Sequence, residues 1–431
     1  MKSQNLSQFS NFRILLLITT VSIYFIGFNF KEYVPGGSPS DFNSFIWKNI
    51  NFFKNDFIYS LLNYKKLSDA NFPGFYIINY INPFSNSVET FHLFSLTIGF
   101  LTFVIFGITL SHKDKSNDKI TNFLTASLIL ILPFFISRVY WGTSAGLAWF
   151  FFILTIFLFC KIQDEFSSNK SIKLRNILIL CFLSSILLYI RSSFIFLIFF
   201  FLLFFLFKIK RKKYFFSLSF FYTLLSIPGF SIIYIWLKQP DLGITAIQFL
   251  EFKNIFLNFP IYTSYIAFYI FPILLIGLKN IKKDITLKYL KIFFIISIIY
   301  LILIYFGKLD YLSKYDFGGG AILKLNYILK DGNYFLLLFF STLGCCILMN
   351  FLERDFFQNC FLIIPLFIVY GLTGFPYQDY FEPLIIFLFF SGLFKSSLYD
   401  LFIEEKSKIC VLYFFYFLTF LSASIAVKNF I

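Results

Sequence analysis

The sequence predicts an all-α, polytopic integral membrane protein, and three observations carry that prediction. Apolar runs of about 17–25 residues, the length that crosses a bilayer core, recur along the whole chain. Hydrophobic residues make up 58% of it and charged residues only 14%, far from the balance of a soluble domain. The basic residues gather in short clusters between the runs, as they do in cytoplasmic membrane loops.

About 13 spans follow from the runs. The first covers 14–30, where Arg13 precedes an apolar stretch with no small-residue cleavage site, so it reads as a retained helix. A long polar interruption, 31–87, separates it from the second span, 88–110, which leaves through His112, Lys113 and Lys115. The third, 120–136, passes through a tight turn at Arg138–Gly142 into the fourth, 144–161, followed by Lys170, Lys173 and Arg175. Spans five (176–189) and six (193–207) meet at Arg191, and the densest basic run, Lys208 to Lys213, comes next. Span seven is 214–237 and span eight is 260–278, trailed by Lys279, Lys282, Lys283 and Lys288. Spans nine to thirteen are 289–306, 334–352, 360–372, 381–394 and 409–427, with Lys395, Lys406 and Lys408 before the last.

A cytoplasmic N-terminus puts the clusters after spans two, four, six, eight and twelve on the inside. That agreement sets the orientation, with the C-terminus outside and 31–87 as a long first extracytoplasmic loop. It also explains the net charge of +15 without nucleic acid. No repeat or linker divides the chain, so 1–431 reads as one integral domain. The 71 Phe residues reflect a compositional bias filling lipid-facing positions and carry no functional inference. The six cysteines fall within spans or at their cytoplasmic ends, which predicts no structural disulfide. His92 and His112 stand apart in sequence, so no metal site is expected.

Charge at span ends is costly and marks either an anchor or a site. In this topology Asp41, Arg138, Arg191, Asp379 and Glu382 all belong to the outer face. Each alone reads as an interfacial anchor, and Tyr140, Trp141, Tyr377 and Tyr380 as an aromatic belt. Their convergence on one face points to a shared cavity. The inside loops are too short for a nucleotide-binding domain, and Gly318-Gly319-Gly320 lacks the Lys-Ser/Thr of a phosphate loop. A group donor would therefore come from the membrane or from outside.

Four segments resemble the GT-C superfamily of membrane glycosyltransferases, which includes protein mannosyltransferases and lipid A aminoarabinose transferases. They are Ser38–Phe42 after span one, Asn71–Tyr80 before span two, Leu132–Tyr140 with Ala145–Ala148, and Gln378–Leu384. The chain departs from the family where Phe42 follows Asp41 in place of a second acid and Asp379 stands where a basic residue is common. The resemblance implies a sugar donor on a polyprenyl phosphate or diphosphate, and a glycan, lipid or protein acceptor, among membrane lipids. Asp41 would be the general base, with Asp56 and Asp69 of the same loop as alternatives. Arg138 and Arg191 would hold the departing phosphate. Tyr76, Tyr140, Gln378, Asp379 and Glu382 would line the substrate site. The transfer would invert, without cofactor or obligatory metal, on the outer face of a bacterial inner membrane. Two other readings are an O-antigen or polysaccharide polymerase or ligase, and a lipid or glycan transporter. The first usually places its largest outer loop late, whereas here it comes first. The second predicts charges buried mid-span or a repeat between halves, and the sequence has neither.

Overall fold

The computed structural model describes residues 2–30, 38–64, 72–114, 118–168, 172–209, 212–237, 252–277, 283–305, 335–373 and 378–430. Every regular element among them is helical. Among the described residues six helices are long and apolar enough to cross a membrane, or seven if one bent pair is a single span. The chain has the helices of a multi-pass membrane protein. It forms two compact units, residues 1–247 with 419–431, and residues 248–418.

The first unit begins with α1 (Lys2–Asn29). The segment between the first two spans is helical rather than loop-like where it is described. It contains α2 (Ser38–Asp41), a π-turn over Phe42–Ile46, α3 (Trp47–Asn55), α4 (Phe57–Leu62) and α5 (Gly74–Ile81). A 3₁₀ turn, Pro83–Asn86, then leads into α6 (Val88–Lys113). Local chemistry sets these boundaries. Asp56 caps α4 by accepting from the Tyr59 amide, and Ser87 and Thr90 cap α6 reciprocally, satisfying amides that a helix start leaves without partners.

The third predicted span is broken. α7 (Lys119–Ser127) tightens into a 3₁₀ turn at Leu128–Ile131, and α8 (Pro133–Tyr140) starts at a 69° bend. Pro133 cannot donate to the preceding turn and favours an extended residue before it. Leu132 is extended at φ −76° and ψ 120°. Arg138 therefore sits inside a helix, not in the tight turn the sequence predicts. The turn is displaced to Trp141–Thr143. After it come α9 (Ser144–Ser167), α10 (Leu174–Ile190), α11 (Ile195–Leu203) and α12 (Lys212–Leu237).

Polar contacts gather at two ends of this unit. At one, Arg13 meets Asp118 at 3.1 Å, His112 meets Asp164 at 2.8 Å, and Lys113 donates to Gln163. These groups belong to the N-terminal half of α1, the C-terminal end of α6, the start of α7 and the C-terminal part of α9. The opposite end carries Asp41, Arg138 and Arg191. Between the two ends the outward side chains are mostly apolar. On α12 they include Phe216, Phe220, Leu224, Ile227 and Phe230. Spanning threonines return their hydroxyls to their own helix, Thr102 to Ile98 and Thr155 to Phe151, so few polar groups seek solvent.

The second unit contains α13 (Phe252–Gly277), α14 (Lys283–Tyr305), α15 (Phe335–Arg354), α16 (Phe356–Gly371), α17 (Gln378–Phe390), α18 (Ser397–Glu404) and the first part of α19 (Ile409–Phe430). α13 starts eight residues before the predicted span at Pro260, because Pro260 lies inside the helix. α13 and α15 approach closely at Gly344, and Thr263, Ser341 and Tyr300 hydrogen-bond across α13, α15 and α14 at 2.8 and 2.6 Å. A small residue and shared hydroxyls are how helices associate in lipid.

Candidate functional site

The site in the first unit is built on α2 and α8. Asp41 ends α2 in the first turn of a continuous helical stretch, where an N-terminal dipole favours a carboxylate. The π-turn that follows it widens the helix, a feature frequent at functional positions. Arg138 donates from Nη1 to Asp41 Oδ2 at 2.6 Å, a short, charge-assisted bond. The guanidinium is 6% exposed and the carboxylate 32%. Among the described residues Asp41 Oδ1 takes no hydrogen bond. One carboxylate oxygen is thus fixed from within, and the other can receive a proton. Ser137 bonds Ser38 at 3.0 Å, doubling the clasp between α8 and α2.

The backbone beneath Arg138 is held by the turn. The Thr143 amide bonds the Arg138 carbonyl at 3.0 Å and the Gly142 amide bonds the Val139 carbonyl at 3.1 Å. This is a Schellman closure, and it requires a left-handed residue. Gly142 supplies it at φ +59°, with its missing Cβ leaving room for the Phe91 ring. The Thr143 hydroxyl also donates to the Arg138 carbonyl. Arg191 follows α10 and is buried, with Nη1 3.5 Å from Ser144 Oγ. Ser144 opens α9 directly after the turn. Arg138, paired with Asp41, precedes this turn in the chain, and Arg191 contacts Ser144 just after it. A cavity of about 10 Å³ lies nearby, lined in part by Asn79, Ser95, Gly142 and Thr143, with room on the order of one water.

An aromatic group flanks the carboxylate. Phe42 lies 4.6 Å from His92 and 5.9 Å from Trp141, and Trp47 packs on Phe42 and Phe91. His92, isolated in sequence, is partly exposed beside the site.

Tyr76 and Tyr140 are both packed inside the first unit. Tyr76 is buried, stacked on Phe53 at 5.6 Å, and its hydroxyl receives Asn49 Nδ2 at 3.4 Å. Tyr140 is buried and donates to the Tyr24 carbonyl, while Tyr24 donates to the Leu96 carbonyl at 2.8 Å. Asp56 is an exposed helix cap. Asp69 lies outside the described residues, as do the side chains of Gln378 and Asp379.

Glu382 belongs to the second unit and is 0% exposed on α17. It interacts electrostatically with Tyr416, whose hydroxyl donates to the Tyr269 carbonyl. Its neighbour Phe381 packs on Tyr262 and Tyr370. Asn258 ties α13 to the end of α16 through the Gly371 and Thr373 carbonyls. Among the described residues no three His, Cys, Asp or Glu side chains are grouped to hold a metal ion. The chain matches no protein-family model, no curated protein and no solved structure.

Proposed function

We propose that the chain is a multi-pass membrane glycosyltransferase. It moves a sugar from a polyprenyl-phosphate-linked donor to a glycan, lipid or protein acceptor on the extracytoplasmic face of a bacterial inner membrane. The topology is the one expected from the basic clusters, with about 13 spans and a cytoplasmic N-terminus. The observation that carries the reading is Asp41, a partly exposed carboxylate with one oxygen held by buried Arg138 and the other without a partner among the described residues.

The chemistry is a single displacement. Asp41 takes the proton of the acceptor hydroxyl as its oxygen bonds the anomeric carbon. The bond from that carbon to the phosphate oxygen breaks, and the lipid phosphate leaves with the electron pair. Attack opposite the leaving group inverts the configuration. Arg138 orients the base, and Arg191, beside the same turn, faces the charge growing on the phosphate, a stabilisation strongest where water is scarce.

Deleting the gene and analysing the surface glycan by mass spectrometry tests this reading. The expected result is loss of one defined hexose or pentose, with accumulation of its polyprenyl-linked donor. A glycan complete in every sugar but shortened in repeat number would reject transfer in favour of polymerisation. An unchanged glycan and donor pool would reject both.

A further inference from the structure

From α4 to the turn at 83–86, the first interspan segment exposes large apolar side chains and buries several polar ones. On α4, Ser60 is buried while Ile58, Tyr59 and Leu62 point outward. On α5 and the turn after it, Asn79, Asn82 and Ser85 are buried, while Tyr80, Ile81 and Phe84 are exposed, Ile81 at 72%. Asn79, Asn82 and Ser85 hydrogen-bond within the segment. Asn79 donates to the Phe75 carbonyl at 2.9 Å, Asn82 to Asn79 Oδ1 at 3.3 Å, and Ser85 to the Asn82 carbonyl at 2.7 Å. A segment in water does the opposite, and clustered exposed apolar side chains of this size mark a surface made for something else.

The exposed residues belong to one connected structure. The Phe57 and Tyr80 rings meet at 4.7 Å, and Lys54 donates to Asn86 at 2.6 Å, joining α3 and α4 to the α5 end. Phe84 stacks on Phe94 of α6 at 5.9 Å, and Thr90 bonds the Phe84 carbonyl. Val88, Leu93, Leu101 and Ile108 continue the exposed apolar surface along α6, a helix apolar enough to cross the membrane. Exposed Lys48 lies over Phe52 of α3, suited to headgroup phosphates.

We infer that α4, α5 and the turn at 83–86 form a lipid-embedded platform, seated in the interfacial zone of the leaflet that α6 enters there. Its occupant is phospholipid, because its apolar face runs on into that of a membrane helix and its polar groups turn inward. Short amphipathic helices bind such zones by burying their apolar face at the headgroup–acyl boundary. α3, which follows Asp41 and its π-turn, packs on α4 and α5. A lipid-borne molecule diffusing in this leaflet would thus reach Asp41 without leaving the membrane. The platform itself stands whether or not the chain transfers sugar.

The test places the photoreactive residue p-benzoylphenylalanine at position 58 or 81 of the full-length protein in native membranes. Position 93 on the spanning helix is the positive control and position 55, an exposed Asn, the negative. Irradiation and mass spectrometry should find phospholipid adducts at 58, 81 and 93 and at least fivefold fewer at 55. Lipid adducts at 93 with none at 58 and 81 would overturn the inference. Crosslinks from 58 and 81 to a protein, a second copy included, would overturn it as well.

Discussion

Arg138→Ala is expected to abolish most activity and also to loosen the first unit. The guanidinium is buried, and its 2.6 Å bond is the only one that the Asp41 side chain makes among the described residues. Removing one partner of a buried pair typically costs 3–5 kcal/mol. Because Asp41 is a third exposed, about 3 kcal/mol is the appropriate end of that range. Activity should fall about 10²–10³-fold, the usual loss when one preorganised charge-stabilising donor is removed. Arg138→Lys should recover part of the stability but little of the activity. It restores the charge without the planar fork that fixes one carboxylate oxygen. Thermal unfolding in detergent and glycan complementation in a host lacking the gene read the two effects separately. An Arg138→Ala protein as stable and active as the parent would show the pair to be incidental.

In the second unit, Gly344→Leu should be the most damaging apolar substitution. A Cβ at this position would lie 1.9 Å from the Thr263 carbonyl oxygen and 2.6 Å from its carbonyl carbon. Those are backbone atoms of α13, so no side chain can rotate away. α13 and α15 must separate, which also stretches the Thr263–Ser341 bond. Overpacking a core typically costs 1–3 kcal/mol, and a backbone collision puts this one at about 3 kcal/mol or above. Gly229→Ala is the comparison, since its Cβ would meet the movable Tyr189 hydroxyl at 3.0 Å. Unfolding midpoints in detergent should fall sharply for the first variant and slightly for the second. Equal midpoints would mean that the two helices do not pack at Gly344.

Hydrophobic runs located most helices, because a span announces itself by length and apolarity alone. α6 and α9 begin where the sequence places them, at Val88 and Ser144. Arg138 and Asp41 stood out because charges are rare near spans, but nothing in the sequence pairs residues 97 positions apart. That contact depends on the Pro133 bend and on Gly142 closing α8. Both are turn chemistry that reads in sequence only as a span ending. The interspan segment was hardest to read. Asn79, Asn82 and Ser85 look like loop residues, yet they turn inward and hydrogen-bond there. His92 reads as isolated in the sequence because its neighbours, Phe42 and Trp141, come from distant parts of the chain.

Asp41→Asn, expressed in a host lacking the gene, puts the proposed base to the most direct trial. The Asn carbonyl can still accept from Arg138, so the clasp between α2 and α8 is kept while the proton acceptor is lost. Losing a general base costs about 10²–10⁴-fold in rate. The expected result is normal protein level in the membrane with one defined sugar missing from the surface glycan. A complete glycan at the same protein level would contradict the assignment of Asp41.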